Sequence, residues 1–339
     1  MISKQLIYVI LVLALLGLIV LLKIIIFRIE PFVNQYFIMQ EQDISTRYSS
    51  KEGTWALITG PSSGMGERFA YEFADKGFNL LLIGSKRTKA IIRNIKKIHK
   101  NIEIKFIEVD FSNSFENNFF DPIQNEIDNL GNKWRILINN VGYRTFSSNY
   151  EDMLLSEMKK TIAVGTLVQS KLMQMAIKSF SKINTHTAII NITAQNTVST
   201  DLFAIDTDVT VPHLACYEAA NVFGYCHAKS VYAEIKNKYP KIDFLIITPG
   251  SVLTKQTEPI LKDVLFSIDV ETFVKNILKL MGNKNGIYCA YWGHSLSSAL
   301  INIFPFVDKE SIMEKIGTDF FKSGKQNYYK IKIIGTKLK

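Results

Sequence analysis

Seven short apolar segments alternate with longer amphipathic segments from Trp55 onward, and this alternation limits which folds the chain can adopt. The apolar segments have the near-continuous hydrophobicity of strands that are buried on both faces of a sheet. They are 54–60 (TWALITG), 79–85 (NLLLIGS), 103–110 (EIKFIEVD), 135–141 (RILINNV), 186–193 (HTAIINIT), 243–250 (DFLIITPG) and 286–292 (GIYCAYW). The amphipathic segments predict helices at 64–77, 86–99, 151–181, 216–238 and 269–281. This order predicts an α/β fold with a doubly wound parallel sheet.

The N-terminus carries a long apolar run, QLIYVILVLALLGLIVLL, at residues 5–22. As a helix, residues 6–27 would extend over roughly 33 Å, which is enough to cross the hydrocarbon core of a bilayer. A cleaved signal peptide is the alternative, but no A-x-A-like cleavage site follows the run. More cations follow the run than precede it, which places the remaining chain in the cytosol. The sequence therefore predicts a retained single-pass transmembrane anchor at 1–28.

The remaining chain divides into a connector at 29–52, a single α/β domain at 53–293, and an amphipathic and basic extension at 294–339. Within this extension, the apolar stretch LSSALINIFPF at 296–306 is too short to span a bilayer and contains Pro305. Two placements stay open for this stretch, at the membrane surface or against the core of the domain.

Composition limits the partners that the chain can have. Its formal net charge is +9, yet the sequence contains no recognisable nucleic-acid motif, so an anionic membrane surface or a phosphorylated ligand accounts for the charge as well. Three cysteines without paired spacing argue against a disulfide framework. The five histidines are scattered along the chain, and we expect no metal site.

A glycine-rich turn follows the first predicted strand, in the segment LITGPSSGMGERFA at 57–70. Gly60, Gly64 and Gly66 permit a tight turn and a close approach of the backbone to a pyrophosphate. The helix that begins there offers unpaired N–H groups and the positive end of its dipole. In this strand–turn–helix context, the segment predicts a dinucleotide site of the Rossmann type.

The end of the second predicted strand indicates which dinucleotide binds. An acidic residue there would favour NAD(H), whereas this chain has Ser85, Lys86 and Arg87 after Gly84. Because cations suit a 2′-phosphate, the sequence favours NADP(H); a solvated basic start of a helix is the alternative. Asp110 closes the third strand, where it either meets the adenine amine or caps a helix.

Several motifs occur in an order that resembles the short-chain dehydrogenase/reductase family. They are TGPSSGMG at 59–66, NNVG at 139–142, a tyrosine-bearing helix after IINIT, and TPGSVLTK at 248–255. The N-terminal run and the segment 286–306 resemble more closely the membrane-bound 17β-hydroxysteroid dehydrogenases and very-long-chain 3-oxoacyl-CoA reductases. The resemblance implies a single-pass protein of the endoplasmic reticulum membrane with a cytosolic catalytic domain.

The resemblance further implies that the protein uses NADPH to reduce a ketone on a lipid, either a 3-oxoacyl-CoA of fatty-acid elongation or a steroid-like ketone. Its partners would be the lipid or acyl-CoA substrate, the membrane, and other membrane enzymes of fatty-acid elongation, with no nucleic acid. The cofactor-binding residues implied are Thr59, Gly60, Ser62, Ser63, Gly64, Met65, Gly66, Ser85, Lys86, Arg87, Asp110, Asn139, Asn140, Val141, Gly142, Pro249, Gly250, Val252 and Thr254.

The helical segment ACYEAANVFGYCHAKSVYAEIK at 215–236 offers two tyrosines for catalysis. Tyr225 has a lysine four residues later, Lys229, which is the family's spacing. In the family, an acidic residue follows the catalytic lysine by thirteen positions, and Glu234 follows Asn221 by thirteen. This spacing, and the number of residues between the tyrosine and the TPG motif, favour Tyr217 instead. Tyr225 lies about 12 Å farther along the helix and is rotated by roughly 80°, so it cannot serve the same substrate.

Tyr217 is the only one of the family's four catalytic side chains that this sequence retains. Asn221 stands at the lysine position, Ala194 at the serine position and Gly165 at the asparagine position. The segment 195–215 is also longer than the family's usual connection. Two roles stay open for this segment: it supplies a substitute for the lost donors, or it only covers the site. The candidate donors are Ser199, Thr200, Asp206, Asp208 and His213.

Three functions follow from these observations. The first is an NADPH-dependent reductase of a lipid ketone. The second is a catalytically impaired NADP(H)-binding relative that acts as a membrane scaffold or sensor, because three of the four catalytic positions have changed. The third, lipid or membrane binding without a nucleotide, is disfavoured by the intact glycine turn.

Overall fold

The computed structural model describes residues 4–33, 42–143, 149–194, 211–255, 257–296, 311, 314, 315, 317–319 and 322. Its strands are β1 (Trp55–Thr59), β2 (Asn79–Gly84), β3 (Ile104–Glu108), β4 (Trp134–Asn139), β5 (Thr187–Ile192), β6 (Ile242–Ile247), β7 (Val252–Leu253), β8 (Ile268–Asp269) and β9 (Gly286–Tyr288). Its helices are α1 (Lys4–Val33), α2 (Ile44–Arg47), α3 (Gly64–Asp75), α4 (Thr88–Ile98), α5 (Asp121–Leu130), α6 (Leu155–Ile162), α7 (Gln169–Phe180), α8 (Ala215–Ile235), α9 (Glu258–Leu261) and α10 (Val270–Leu280).

The seven predicted strands form one parallel sheet in the order β3-β2-β1-β4-β5-β6-β9. The strand order therefore reverses between β1 and β4, the point where a doubly wound sheet opens a crevice at the carboxyl ends of its strands. The predicted α/β fold with a doubly wound parallel sheet is confirmed. The short strands β7 and β8 form a second parallel pair that the sequence pattern did not reveal.

Helices cover both faces of the sheet, which explains why its strands are nearly continuous in apolar residues. Alternate β1 side chains face opposite ways, so that Ile58 packs in one core cluster and Leu57 in the other. One cluster receives Phe73 of α3 and Phe273 of α10, whereas the other receives residues of α5, α7 and α8. The crevice at the carboxyl edge is thus supported by a fully packed three-layer domain.

The predicted helix at 151–181 is interrupted in the middle. Between α6 and α7, residues Ala163–Val168 adopt a π-helical turn that contains Gly165. Such a turn inserts one extra residue and re-aims the side chains that follow it, and it often occurs at functional sites. The interruption falls where this segment packs against α8.

The N-terminal apolar run forms the 30-residue helix α1, and the described side chains at 7–20 are exposed. Within the residues that the structure describes, no helix has the combined length and hydropathy required to cross a membrane. The predicted anchor at 1–28 extends over side chains outside that set, including those of Leu6 and Leu21. The apolar stretch predicted to touch the membrane or the core, 296–306, lies outside the described residues from 297 onward.

The last part of the predicted connector is packed against the domain. Tyr48 is fully buried, and its hydroxyl donates to Asp243 Oδ2 over 2.8 Å. The Arg47 guanidinium donates to both oxygens of Asp243, over 2.8 and 3.0 Å. Because Asp243 lies near the start of β6, this partly buried ion pair fastens residues 43–53 to the edge of the sheet opposite the crevice.

Candidate active site at the carboxyl edge of the sheet

The glycine turn between β1 and α3 has a backbone that glycine alone accommodates at its key positions. Gly60 and Gly64 have φ angles of +65° and +59°, in the left-handed region. A Cβ on Gly66 would lie 2.2 Å from the carbonyl oxygen of Gly60. The turn therefore folds tightly against the first turn of α3 and leaves the N-terminus of this helix pointing at the crevice.

Hydrogen bonds join the turn to the end of β4. The hydroxyl of Thr59 accepts from the backbone N–H groups of Asn140 and Val141, over 3.0 and 2.9 Å. In return, the Asn140 side chain donates to the Thr59 carbonyl over 2.9 Å. The two strands that flank the reversal of strand order are thereby fixed relative to each other. This rigid edge has the form of a dinucleotide site.

The segment 248–255, here named the Pro-Gly loop, faces the same glycine turn. A Cβ placed on Gly64 would come within 3.3 Å of the Thr254 side chain. Pro249 and Val252 are buried, and the N–H of Gly250 donates to Nδ1 of His294 over 3.1 Å. The loop is therefore part of the same cleft, held in place by a residue from near the end of the described chain.

The basic residues that follow β2 are exposed to solvent. Ser85, Lys86 and Arg87 are exposed, and a shallow cavity is lined by Lys86, Arg87, Lys89, Ala90, Ile92 and Arg93. Two cations at the start of α4 are thus available to an anionic ligand. The carboxylate of Asp110 accepts from the Ser112 N–H over 3.0 Å, so this residue caps a short helix, the second of its two predicted roles.

Asn139 does not meet the crevice with its side chain. It is fully buried, and its amide donates to the Gln169 carbonyl and to Asn191 Oδ1, each over 2.9 Å. The cofactor-binding role predicted for Asn139 stays a prediction. Its side chain ties β4 to β5 and α7 beneath the site, because a polar side chain at the last position of a central strand is covered by the neighbouring helix.

The two tyrosines of α8 have opposite environments. Tyr217 is half-buried in the first turn of the helix. Tyr225 is 1% exposed and belongs to the core cluster shared by α7 and the sheet. Lys229 is exposed, with its ammonium 5.8 Å from the centre of the Tyr225 ring. Part of the Tyr217 side chain is therefore open to a ligand, whereas Tyr225 is enclosed by protein.

At and beside the other catalytic positions of the family, the side chains bond to the protein's own backbone or are missing. The Asn221 side chain donates back to the Tyr217 carbonyl over 3.0 Å. Thr193 is buried, and its hydroxyl donates to the Ile247 carbonyl over 3.1 Å. A Cβ on Gly165 would lie 2.7 Å from the Ala220 methyl, so the π-helical turn and α8 touch closely here.

A sequence model described as short chain dehydrogenase matches residues 54–265. The chain belongs to this family. Among its relatives, the very-long-chain 3-oxoacyl-CoA reductase of Mus musculus is 28% identical over 286 residues, covering 82% of this chain and 83% of that protein. The protein of the same name from Vanderwaltozyma polyspora is 26% identical over 292 residues, covering 80% and 78%.

Solved structures show the same fold at lower identity. A 7beta-hydroxysteroid dehydrogenase superposes with a TM-score of 0.64 at 17% identity, covering 80% of this chain and 99% of that one. A short-chain dehydrogenase from Sphingobium yanoikuyae in complex with NADPH gives 0.57 at 18% identity, covering 75% and 98%. This chain is accordingly an oxidoreductase of the short-chain dehydrogenase family.

The sequence patterns did not predict two side chains that lie near the candidate site of this short-chain dehydrogenase, His294 and Tyr143. His294 lies outside the matched segment, and the sequence pattern shows it only as one of five scattered histidines. Tyr143 follows the NNVG motif, and its hydroxyl donates to Glu157 Oε2 over 2.8 Å, while burial raises its pKa above the usual range.

The predicted substitutes Ser199, Thr200, Asp206 and Asp208 lie outside the described residues. His213 is described just before α8 and has a φ of +68°.

Proposed function

We propose that this short-chain dehydrogenase reduces the 3-keto group of a long-chain 3-oxoacyl-CoA with NADPH, at the endoplasmic reticulum membrane. The observation that supports the proposal is the geometry at the carboxyl edge of the sheet. There the Asn140 side chain is hydrogen-bonded to Thr59 in the glycine turn, and Thr254 lies beside Gly64. The relatives named very-long-chain 3-oxoacyl-CoA reductase support this class of substrate.

The choice of NADPH over NADH is supported by the exposed cations at the end of β2. A charge-assisted hydrogen bond contributes about 1.5–3 kcal/mol, so Lys86→Ala with Arg87→Ala should remove most of the preference. Nucleotide fluorescence titrations measure both affinities. The matched control is Lys96→Ala with Lys97→Ala, which removes the same charge from the other end of α4. Equal affinity of the unaltered protein for both nucleotides would refute the assignment.

When bound, the reduced nicotinamide supplies a hydride to the keto carbon. Tyr217 then donates its phenolic proton to the alkoxide oxygen that develops, giving the 3-hydroxyacyl product. A lysine ammonium would stabilise the phenolate that remains, whereas Asn221 is uncharged and bonded to its own helix. We therefore expect turnover well below that of a site with all four catalytic side chains, since one missing oxyanion donor alone costs about 10²–10³ in rate.

Ala194, Asn221 and Gly165, which replace three of the family's catalytic side chains, favour a second candidate function. It is an NADP(H)-binding scaffold or sensor without turnover. Single-turnover oxidation of bound NADPH separates the two candidates. A long-chain 3-oxoacyl-CoA and a steroid ketone serve as the two test substrates. Oxidation of NADPH by the acyl substrate supports the reductase, whereas tight NADPH binding without oxidation by either ketone supports the scaffold.

The role of Tyr217 has a control on the same helix. Tyr217→Phe removes the proton donor, keeps the ring, and should abolish turnover while nucleotide affinity stays nearly unchanged. Tyr225→Phe also removes a hydroxyl from α8, but in the core, and should leave turnover near that of the unaltered protein. Loss of turnover in Tyr225→Phe but not in Tyr217→Phe would show that the assignment of the helix register is wrong.

Attachment to the membrane through α1 is the remaining part of the proposal. It is supported by the apolar run at 5–22 and by the exposure of its described side chains. The full-length chain should stay with the membrane pellet after carbonate extraction, and a chain lacking residues 1–28 should be released. Release of both chains would count against an anchor.

A further inference from the structure

The Pro-Gly loop is held from behind by one imidazole. His294 lies in the helical turn at 292–296, after β9, and is 1% exposed. Its Nδ1 accepts the hydrogen bond from the Gly250 N–H over 3.1 Å. The ring packs against Phe273 and Tyr291, with centroids 5.5 and 5.0 Å away. An apolar enclosure of this kind fixes the ring, so the position of the acceptor is fixed as well.

The enclosure also sets the charge of the imidazole. Burial lowers the pKa of His294 to about 4, although backbone hydrogen bonds with Ser251 and Cys289 act in the opposite direction. The ring is therefore neutral near pH 7, with Nδ1 as the acceptor and the proton on Nε2. A charged imidazole would present N–H groups on both nitrogens and could not receive the Gly250 N–H.

The loop that His294 holds reaches the glycine turn within a few residues. Thr254 faces Gly64, and its N–H donates to the Thr257 hydroxyl over 2.9 Å. That hydroxyl in turn donates to the Val252 carbonyl over 2.6 Å. These bonds tie Val252, Thr254 and Thr257 together, so we expect a displacement at Gly250 to move Thr254 relative to the glycine turn.

We propose that His294 is a positioning residue of the active site: through Gly250 it holds the Pro-Gly loop against the glycine turn, at the spacing a bound nucleotide requires. The family's sequence model ends at residue 265, so this support is built from a segment beyond the matched region. The proposal rests on the proposed function for the identity of the ligand, but the loop contact itself is a property of the chain alone.

The test compares His294→Asn with His294→Leu in the full-length protein. Asn and Leu have the same shape, but only Asn carries an oxygen where Nδ1 lies. Hydrogen exchange of the Gly250 amide is measured without nucleotide, and NADPH affinity is measured by fluorescence. In His294→Leu, we expect exchange about fivefold faster and NADPH binding about fivefold weaker, the effect of one neutral hydrogen bond. His294→Asn should recover most of both.

Equal exchange in the unaltered protein and in His294→Leu would overturn the proposal, as would equally fast exchange in the Asn and Leu variants. Faster exchange with unchanged NADPH affinity would overturn it too, because the bond would then be structural only. If the Leu variant does not fold, His294→Gln, whose amide extends toward the Nε2 side, replaces it in the comparison. Absence of NADPH binding by the unaltered protein would refute the proposed function, and the exchange comparison would still decide whether His294 holds the Pro-Gly loop.

Discussion

The close contact between Gly165 and Ala220 predicts that a family-type side chain cannot simply be restored at position 165. A Cβ on Gly165 would lie 2.7 Å from the Ala220 methyl, whereas carbon atoms pack at about 3.5–4.0 Å. Overpacking of this size costs about 1–3 kcal/mol. The higher helix propensity of Ala offsets about 1 kcal/mol of this cost, so Gly165→Ala should lower the free energy of unfolding by up to about 2 kcal/mol.

A double-mutant cycle isolates the steric overlap from the helix propensities. Ala220→Gly alone should cost about 1–2 kcal/mol, through the lower helix propensity of Gly and the loss of a buried methyl. The double variant, Gly165→Ala with Ala220→Gly, has one methyl group at this contact, as the unaltered protein does, and the two changes in helix propensity cancel. Its free energy of unfolding should therefore lie near that of the unaltered protein. The coupling energy is then about 1–3 kcal/mol, measured by urea denaturation.

Gly142→Ala is the control for this cycle, because a Cβ there meets nothing within 4 Å. It should change the free energy of unfolding little and show no coupling to Ala220→Gly. A coupling energy between Gly165→Ala and Ala220→Gly below about 0.5 kcal/mol would refute the predicted overlap. For catalysis, Gly165→Asn should be tolerated only together with Ala220→Gly.

Three further predictions concern other parts of the chain. Asp243→Asn should lower the free energy of unfolding by about 3 kcal/mol in urea denaturation, because it leaves the half-buried Arg47 without its anionic partner. Gly66→Ala should weaken NADPH binding at least about tenfold in fluorescence titrations, because its Cβ would collide with the Gly60 carbonyl and reshape the turn. Acid should destabilise the protein through His294, whose pKa is about 4 when folded and 6.5 when unfolded, so the unfolded chain binds more protons between these values. Stability should fall by about 2 kcal/mol from pH 7 to pH 5 through this group, and His294→Asn should lack that part of the loss.

The sequence determined the sheet and the nucleotide end of the site, because both depend on short segments. Apolar strands of three to six residues and the turn at 59–66 are local patterns, and the structure reproduces all seven predicted strands within one residue at the start of each. The predicted strand ends lie one to four residues too late, because the predicted segments extend into the turns and loops that follow the strands. The choice of Tyr217 over Tyr225 also came from counting along the helix, and the structure encloses Tyr225 in the core.

Tertiary structure alone decided the contacts that support the site, because their partners are far apart in the chain. Arg47 and Asp243 are separated by 196 positions, and Gly250 and His294 by 44. No local pattern distinguishes a histidine that holds a loop from one that lies on the surface. Likewise, Gly165 reads as a missing asparagine in the sequence, whereas the folded chain shows that a neighbouring helix fills the space where a side chain would begin. Local backbone and hydrophobic preferences fix the elements, but the distances between them depend on how the packed layers meet.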